Sequence, residues 1–429
     1  MARGIVDIEP LQTRRAFPSL ARTVDGGPCI FADAPGGTQV PRSVIEAISS
    51  YLMRSNANRG GAFPTSTETD EVVARARRAG ADLLGASADE IVFGPNMTTL
   101  AFGLSRSLAH LVEEGDDVIV TALDHDANVA PWKIMAEERG ANLRCVEVNL
   151  DDTTLDLASL KAQLSDRTRV VAFTLASNAT GTVLPGKDIV DLVRETDAIV
   201  VADGVHAAQH RTLDARALGV DVLFTSPYKY FGPHLGMAYV RKPLIDRWRP
   251  YKVRPASDHG PERWETGTQN HEALAGLTAA VDYIAALARR VSSEPADRRT
   301  DVVDGMRAIE AYEATLTRRF LSQVASLEDI TLFGISQEAR AAERTPTFAV
   351  RVDDESPRTT AARLGEAGIF VWDGDYYAQT IMERLGLADS GGAVRIGFCH
   401  YNTIDEVDRV LEELTHPHNH PAVPQLARS

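Results

Sequence analysis

Short apolar runs alternate with longer mixed stretches over the first two thirds of the chain. Residues 199–202 and 222–224 are continuous apolar runs, and such runs are typical of strands buried on both faces of a parallel sheet. Residues 274–284 have the composition and length of a helix. This alternation extends from about residue 30 to residue 239. It predicts an α/β fold in which helices cover both faces of a mostly parallel sheet.

The last third of the chain has a different pattern. A polar stretch at residues 292–299 precedes a region with the length for one long helix. Residues 347–352 and 393–397 then have the character of strands, and residues 404–414 that of a closing helix. We expect these elements to form a second, smaller domain. The sequence contains no internal repeat.

Composition limits the kinds of protein that this chain can be. At 429 residues it is long enough for two domains and a large core. Its net charge of −15 argues against nucleic acid and anionic membranes as partners. No apolar run approaches the ~18 residues of a membrane-spanning helix, and residues 1–9 lack the apolar core of a signal peptide. Three cysteines provide no disulfide framework, so we expect a cytoplasmic protein.

Two charged residues stand directly after apolar runs, where a parallel sheet binds its ligands. Asp203 ends the run at residues 199–202, and Lys229 follows residues 222–224 in a Gly/Pro turn. A partly desolvated lysine there suits covalent chemistry with pyridoxal phosphate, and a carboxylate can keep the pyridine nitrogen of that cofactor protonated. Taken alone, Asp203 also fits a helix cap, and Ser226 with Lys229 also fits the Ser-x-x-Lys motif of penicillin-binding enzymes.

A Gly-Pro-Asn-Met-Thr turn at residues 94–98 joins a predicted strand to a predicted helix. Backbone N–H groups at a helix N-terminus, together with the hydroxyl of Thr98, suit a phosphate group. Met97 lies in the same turn. Helix capping by Asn96 or Thr98 explains the same residues equally well.

A further predicted strand, residues 118–123, ends in the polar sequence Asp-His-Asp. The imidazole of His125 can stack on a planar cofactor ring. The same imidazole and its neighbours Asp124 and Asp126, together with His206, also suit a metal site. We favour the stacking role, because each polar group already lies at the end of its own predicted strand, and we expect no bound metal.

The order of these motifs resembles that of the class V aminotransferases, a family of pyridoxal-phosphate enzymes of fold type I, and among them the cysteine desulfurases and selenocysteine lyases. The resemblance covers nearly the whole chain. The family segments, in chain order, are Glu-His-His-Ala-Asn-x-x-Pro-Trp, Ser-Asn-x-x-Gly-Thr, Asp-Gly-Ala-Gln, Ser-Gly-His-Lys-x-x-Gly-Pro and Glu-x-Gly-Thr-x-Asn. They are similar to residues 124–132, 177–182, 203–206, 226–233 and 265–270 of this sequence.

The resemblance implies a fold and an assembly. We expect a mostly parallel seven-stranded sheet with helices on both faces and a smaller α+β C-terminal domain. The expected units are an N-terminal segment that packs on the small domain (residues 1–25), a large cofactor-binding domain (26–290) and a small C-terminal domain (291–429) with a flexible tail (416–429). A homodimer with active sites shared across its interface is expected, in which Thr268 reaches the phosphate held by the partner subunit.

The resemblance also assigns roles to individual residues. Lys229, Asp203 and His125 are the expected catalytic residues: Lys229 binds the cofactor covalently, Asp203 contacts its pyridine nitrogen and His125 stacks on its ring. His206 replaces a glutamine that touches the phenolic oxygen of the cofactor, and Tyr228 replaces a phosphate-contacting histidine. The expected cofactor-binding residues are Met97, Thr98, His125, Asn178, Asp203, His206, Ser226, Tyr228, Lys229 and Thr268.

The substrate side of the expected site departs from the family. Arg395 lies in a segment similar to the one whose arginine binds the substrate carboxylate, a bidentate role that suits a planar guanidinium. In cysteine desulfurases a mobile loop carries the cysteine that takes up sulfur. The corresponding residue here is Tyr377, and a phenol cannot form a persulfide. We expect Trp372, Tyr376 and Tyr377 to form an aromatic substrate pocket, with Arg59 added from its loop position.

These roles predict an enzyme that acts on a small amino acid. We expect deprotonation at Cα and β-elimination from a cysteine-derived substrate, which is the reaction of a carbon–sulfur lyase without persulfide transfer. An aminotransferase is the alternative, and an epimerase is a third, which would need Tyr377 as a second base. A catalytically silent amino-acid-binding relative is a hypothesis of a different class, and the presence of Lys229, Asp203 and His125 argues against it.

Overall fold

A computed structural model describes residues 8–289 and 296–415 of the chain. The β-strands of this part are β1 (Thr23–Val24), β2 (Gly27–Pro28), β3 (Ile30–Phe31), β4 (Ile91–Gly94), β5 (Asp117–Thr121), β6 (Asn142–Val146), β7 (Thr168–Thr174), β8 (Ile199–Asp203), β9 (Val222–Thr225), β10 (Gly236–Val240), β11 (Ile330–Phe333), β12 (Thr347–Val352), β13 (Ile369–Phe370), β14 (Trp372–Gly374) and β15 (Ala393–Gly397).

The α-helices of the same part are α1 (Pro10–Arg14), α2 (Arg42–Arg54), α3 (Pro64–Leu84), α4 (Met97–Leu108), α5 (Ala130–Arg139), α6 (Leu157–Gln163), α7 (Gly186–Val193), α8 (Ala207–His210), α9 (Ala215–Leu218), α10 (Lys242–Arg247), α11 (His271–Arg289), α12 (Arg298–Val324), α13 (Pro357–Glu366), α14 (Gln379–Arg384) and α15 (Ile404–Leu414).

The large sheet has seven strands in the order β4-β10-β9-β8-β7-β5-β6. Strand β10 runs antiparallel to both of its neighbours, and the other strands run in one direction. The expected mostly parallel seven-stranded sheet is therefore confirmed. Because β5, β7, β8 and β9 point the same way, the residues that follow them meet at one edge of the sheet, where such folds bind ligands.

Side chains that alternate along the large sheet enter two different cores. In β7, Val171 and Phe173 belong to one apolar cluster, whereas Val170 and Ala172 belong to another. Helices α3 and α11 supply residues to the first cluster, and α4 and α5 supply residues to the second. Both faces of the sheet are thus buried, which explains the uninterrupted apolar runs of its strands.

A second sheet lies in the C-terminal part of the chain. Its order is β11-β12-β15-β14, and all of its neighbouring strands are antiparallel. The predicted strands at 347–352 and 393–397 and the predicted helix at 404–414 are confirmed to the residue. Helix α15 begins where the sequence places it because Thr403 and Glu406 form a capping box: each side chain accepts a hydrogen bond from the other residue's backbone N–H at 3.1 Å.

The N-terminal strand β3 pairs with β13 in parallel and lies outside the large sheet. The expectation that the pattern of the large sheet begins near residue 30 is therefore wrong, since its first strand begins at Ile91. The two residues of β3 explain this placement. Ile30 packs into the apolar cluster of the C-terminal part, and Phe31 packs into the first cluster of the large sheet. The segment thus ties the two parts together directly beside the site described below.

The predicted domain boundaries at 25/26 and 290/291 stay predictions, and the tail predicted at residues 416–429 lies outside the described residues. Helix α1 contacts the C-terminal part through an ion pair of 2.8 Å between Arg14 and Glu406. Among the helices that the structure describes, none combines the length and apolar character needed to cross a membrane.

Candidate active site

A cavity lies at the carboxyl ends of the parallel strands of the large sheet. Residues that follow β5, β7, β8 and β9 line it, together with the first turn of α4. The lining residues are Asn96, Met97, Thr98, His125, Ala127, Thr174, Ala176, Asn178, Asp203, Val205, His206, Ser226, Tyr228 and Lys229. Nine of the ten cofactor-binding residues predicted from the sequence are in this set, and Thr268 is the exception.

Lys229 ends a short 3₁₀ turn, Pro227–Lys229, that follows β9. Its side chain is buried, and its Nζ donates a hydrogen bond to the carbonyl of Pro35. Burial lowers the pKa of Lys229 from 10.5 to about 7; the nearby Arg395 charge lowers it further, while Asp203 and Asp33 oppose the shift. The amine is therefore held at the boundary between its protonated and nucleophilic forms near neutral pH.

Asp203 is the last residue of β8, and its carboxylate is buried at the floor of the cavity. One of its oxygens accepts a hydrogen bond from Val205 N at 2.8 Å. Burial raises the pKa of Asp203 to about 6, against the effects of that hydrogen bond and of Lys229. A buried carboxylate of this kind is stabilised by a cationic partner, such as a protonated pyridine nitrogen.

Asp124 is a buried acid that interacts electrostatically with Asp203, and the sequence suggested it only as a possible metal ligand. Its carboxyl accepts hydrogen bonds from the Thr121 hydroxyl at 2.6 Å and from Asn128 Nδ2 at 2.8 Å. Burial is the main cause that raises the pKa of Asp124 to about 8, and the neighbouring Asp203 charge adds to it. Burial thus favours the protonated form of Asp124, and Asp203 is the more readily ionised of the two carboxyl groups.

His125 follows β5 and presents its ring to the cavity. Its Nδ1 accepts a hydrogen bond from Ala127 N at 3.0 Å, which assigns the proton of the neutral ring to Nε2. Burial, followed by the charges of Lys229 and Arg395, lowers the pKa of His125 to about 4. A neutral imidazole with a fixed tautomer is suited to stacking on an electron-poor ring. The ring of Tyr377 is stacked on it, with centroids 5.4 Å apart and planes 21° apart.

His206 is held by two threonine hydroxyls from the other part of the chain. Its Nε2 lies 3.1 Å from Thr345 Oγ1 and 3.1 Å from Thr347 Oγ1. Burial lowers the pKa of His206 well below its ordinary value, and His210, whose ring centroid is 5.0 Å away, adds to the effect. His206 is therefore a neutral polar group at the wall of the cavity.

The phosphate end of the predicted site lies at the start of α4. Asn96 caps this helix by accepting a hydrogen bond from Thr99 N at 2.8 Å, so the capping role considered from the sequence is real. Met97, the exposed Thr98 and the buried Ser226 all line the cavity. The ring of Tyr228 is stacked on His234, with centroids 4.9 Å apart.

Arg395 reaches the site from β15 of the small sheet. Its side chain is buried, its Nη1 donates to the carbonyl of Asn178 at 3.0 Å, and its guanidinium lies 4.4 Å from the centre of the Tyr376 ring. Burial lowers the pKa of Arg395 to about 10, so it stays charged at neutral pH. Arg395 forms no ion pair within the described ranges 8–289 and 296–415. Its charge is thus available to a carboxylate ligand.

The other predicted substrate residues are placed differently from one another. Tyr376 is buried beneath Arg395, whereas Trp372 and Tyr377 are 51% and 70% exposed. Trp372 covers Gly36 so closely that a Cβ at Gly36 would lie 2.3 Å from its indole nitrogen. Arg59 is exposed and lies outside the cavity lining, where it pairs with Asp70 at 3.0 Å.

Thr268 is on an exposed loop that does not line the cavity. The start of this loop is anchored by Glu265, which accepts hydrogen bonds from Arg77 Nη2 at 2.7 Å and from Phe93 N at 2.9 Å. This anchor fixes the loop to α3 and β4. The prediction that Thr268 serves the partner subunit stays a prediction.

Asp33 is a residue near the site that the motifs above do not include. It is partly buried, one of its carboxylate oxygens is buried and lacks a hydrogen-bond partner among the described residues, and desolvation raises its pKa to about 6. It interacts electrostatically with Arg395 and Lys229. The signal was its position directly after the short apolar strand β3, but that strand is too short to predict its pairing.

The residues at this cavity fit pyridoxal phosphate. Within the described chain, Asn178 Oδ1, His206 Nδ1 and Arg395 Nε are buried without a hydrogen-bond partner. Asn178 and His206 line the cavity and Arg395 contacts Asn178, so these three atoms are available to a polar ligand. In the described ranges, no group of three or more His, Cys, Asp or Glu residues is arranged to hold a metal ion.

Comparison with known proteins gives consistent matches. The family model for aminotransferase class-V matches residues 30–410. A cysteine desulfurase of Salmonella dublin is 31% identical over 431 residues, which cover 95% of this chain and 98% of the relative. The apo structure of a cysteine desulfurase from Thermococcus onnurineus NA1 has a TM-score of 0.84 and 25% identity, and covers 97% of this chain and 99% of that one.

A C-DES mutant with glycine covalently linked to its PLP cofactor has a TM-score of 0.77 and 20% identity, covering 94% of this chain and 98% of that chain. This likeness concerns the fold. Together, the solved structures confirm the α/β fold expected from the sequence.

Proposed function

The chain belongs to the aminotransferase class-V family and is a pyridoxal-phosphate-dependent enzyme, and from this premise we propose that it is a carbon–sulfur lyase. Its substrate would be a cysteine-derived amino acid, and its products a thiol, pyruvate and ammonia. Curated relatives with the name cysteine desulfurase support a cysteine-derived substrate. The proposal differs from that name in one respect: the sulfur leaves without forming a persulfide on the protein.

The observation that carries this proposal is the identity of the residue that lies beside His125. Tyr377, at the position where the family resemblance expects the sulfur-accepting cysteine, stacks on His125 and offers a phenol. The three cysteines of the chain lie outside the lining of the cavity. Cys29 and Cys399 are fully buried, and burial raises the pKa of the half-buried Cys145 to about 11. None of these thiols is a ready nucleophile, because the thiolate is the reactive form.

Bound pyridoxal phosphate supplies an electron sink that stabilises negative charge at the substrate Cα. Asp203 is the residue that would hold the pyridine nitrogen in its protonated form, since its carboxyl group is buried and ionises more readily than that of Asp124. His125 would cover one face of the ring. Asn178 Oδ1 and His206 Nδ1, which are buried without a hydrogen-bond partner among the described residues, would be available to the polar groups of the cofactor.

Arg395 and Lys229 would act on the substrate itself. Arg395 would bind the α-carboxylate, and its bond to the Asn178 carbonyl and its contact with the Tyr376 ring fix the plane of the guanidinium. Lys229 would take the proton from Cα, a role for which a pKa of about 7 is well matched. The thiolate at Cβ then departs. Overall, a cysteine thioether and one water give a thiol, pyruvate and ammonium.

We also propose that the active unit is a homodimer. Support comes from the placement of Thr268 on an exposed, anchored loop outside its own cavity. Tyr251 and Val253, which are 67% and 66% exposed, lie in the preceding segment and provide apolar surface for such an interface.

A matched pair of substrates tests the proposed reaction. S-ethyl-L-cysteine and L-norleucine have the same shape, because a methylene replaces the thioether sulfur, but norleucine has no leaving group at Cβ. The holoenzyme is expected to release ethanethiol, pyruvate and ammonia in equal amounts from the first compound and no product from the second. Lys229→Ala is expected to abolish the release.

Two results would contradict the lyase assignment. Formation of a 2-oxo acid from both compounds, with conversion of the cofactor to its amine form, would identify an aminotransferase. A shift of the visible absorption band with both compounds and no product from either would identify an amino-acid-binding relative without catalytic activity.

A further inference from the structure

Tyr377 lies in a backbone turn of unusual geometry. Both Tyr376 and Tyr377 have left-handed backbone conformations, with φ of 56° and 57°. Residues other than glycine adopt this conformation at a cost and normally as single residues, so two in succession store strain. Strain of this kind persists only where surrounding contacts hold it in place.

The contacts that hold this turn come from the active site. The carbonyl of Tyr376 accepts a hydrogen bond from Asn178 Nδ2 at 3.0 Å, and the carbonyl of Tyr377 accepts one from Asp126 N at 2.7 Å. The N–H of Tyr377 donates to Asp375 Oδ1 at 3.0 Å. The turn is therefore fastened to residues on both sides of the cavity, one next to His125 and one beside Arg395.

The ring of Tyr377 gains little from this arrangement by burial, because 70% of the side chain is exposed. Its specific contact is the parallel stack on His125. His125 lines the cavity and Tyr377 does not, so the tyrosine covers the imidazole from outside the cavity. The hydrogen bond from Ala127 N to Nδ1 fixes the imidazole at its edge, and the Tyr377 ring fixes it at one face.

We propose that Tyr377 is a positioning residue for the cofactor: by stacking on the outer face of His125, it holds the imidazole parallel to the pyridine ring that His125 covers. The phenol hydroxyl has no hydrogen-bond partner in the part of the chain that the structure describes, so the aromatic face is the part that acts. This role depends on the identity of the cofactor and not on the reaction that follows.

The test compares Tyr377→Ala with Tyr377→Phe, which keeps the aromatic face. Cofactor affinity is measured by titrating pyridoxal phosphate into the full-length protein from which the cofactor has been removed. The orientation of the cofactor ring is measured by visible circular dichroism of the holoenzyme. Tyr377→Ala is expected to weaken cofactor binding about 2- to 12-fold, the range for the loss of an aromatic pair, and to reduce the visible dichroism. Tyr377→Phe is expected to match the wild type. Leu150→Ala, which shortens an apolar side chain that is 52% exposed and lies outside the cavity lining, is the control and should also match it.

A double-mutant cycle tests whether Tyr377 acts through His125. In a His125→Ala background, Tyr377→Ala is expected to cause no further loss of cofactor affinity. An equal loss in both backgrounds would overturn the proposal, because it would give Tyr377 an independent contact. Wild-type affinity and dichroism in Tyr377→Ala would also overturn it, as would a loss in Tyr377→Phe equal to that in Tyr377→Ala, which would assign the role to the hydroxyl.

Discussion

Lys229 is a buried cation whose charge costs free energy in the protein without cofactor. Its pKa is about 7 in the folded protein, against 10.5 for an ordinary lysine. Between these values the unfolded chain binds a proton that the folded protein lacks, so stability rises as pH increases from 7 towards 10.5, and the burial cost is fully present below pH 7. We predict that Lys229→Met stabilises the cofactor-free protein, and more at pH 6 than at pH 9.

Urea unfolding of the cofactor-free protein at the two pH values measures this effect. Lys187→Met serves as the control, because Lys187 is 59% exposed and should show no such pH-dependent difference. A Lys229→Met variant whose advantage over the wild type is equal at pH 6 and pH 9 would show that the lysine is not protonated and deprotonated in this range.

Replacing Tyr377 with cysteine tests whether the protein lacks a sulfur acceptor at this position. Tyr377→Cys would place a thiol beside the neutral His125, at the position that the family resemblance assigns to the persulfide cysteine. With L-cysteine as substrate, we predict a protein persulfide in this variant and none in the wild type. Intact mass spectrometry detects the added 32 Da of sulfur. A persulfide on the wild-type protein would mean that Cys29, Cys145 or Cys399 accepts sulfur after all.

At this scale, the sequence predicted residues at the ends of apolar runs and gave no indication of backbone contacts between distant segments. Asp203, His125 and Lys229 each follow an apolar run, and nine of the ten predicted cofactor residues line one cavity. The carbonyl of Pro35, which accepts a hydrogen bond from Lys229, is 194 positions away. No local pattern reports such a contact.

At the scale of elements, prediction succeeded where periodicity was long. Strands β12 and β15 and helix α15 have the predicted bounds, since each has a full apolar repeat and α15 has a capping box. Strands β3, β13 and β14 have two or three residues each, too few for a repeat. The sequence also does not predict that β10 lies between β4 and β9. An apolar run indicates that a strand is buried, but it does not indicate which strands lie next to it.

A buried hydrogen bond joins α8 to α12. His210 Nδ1 and Glu313 Oε2 lie 2.7 Å apart, and both side chains are at most 2% exposed. Removing His210 leaves the buried Glu313 side chain without this hydrogen bond, so we predict that His210→Ala destabilises the cofactor-free protein by about 1–3 kcal/mol. Arg319→Ala, which breaks the exposed Arg319–Asp408 pair between α12 and α15, should have little effect.

The urea unfolding midpoints of the two variants are compared with that of the wild type. Equal midpoints for His210→Ala and the wild type would mean that the contact between α8 and α12 does not depend on the pair.

At the scale of the whole molecule, two copies of the chain are needed if Thr268 serves the neighbouring site. We predict that mixing inactive Lys229→Ala with a Thr268→Ala variant, under conditions that exchange subunits, restores activity. One site of each mixed dimer would combine an intact Lys229 with the partner's intact threonine, so recovery should approach about a quarter of the wild-type activity. Activity is measured at limiting cofactor concentration. If Thr268 acts within its own chain, the mixture will be no more active than the two separate variants.

The site itself is assembled at this scale. Lys229, Asp203 and His125 come from the large sheet, whereas Arg395 and Tyr376 come from the small sheet and the turn before α14. The bond between Arg395 and the Asn178 carbonyl joins the two parts at the point where the substrate would bind. Sequence resemblance identified both parts, but their approach depends on packing that no single segment encodes.

The products formed from L-cysteine distinguish elimination from sulfur transfer most directly. The wild-type holoenzyme, supplied with L-cysteine, is predicted to form pyruvate, ammonia and hydrogen sulfide in equal amounts, with its three cysteines unmodified. Formation of alanine, together with a persulfide on the protein, would contradict the account and identify the enzyme as a sulfur-transferring desulfurase despite Tyr377.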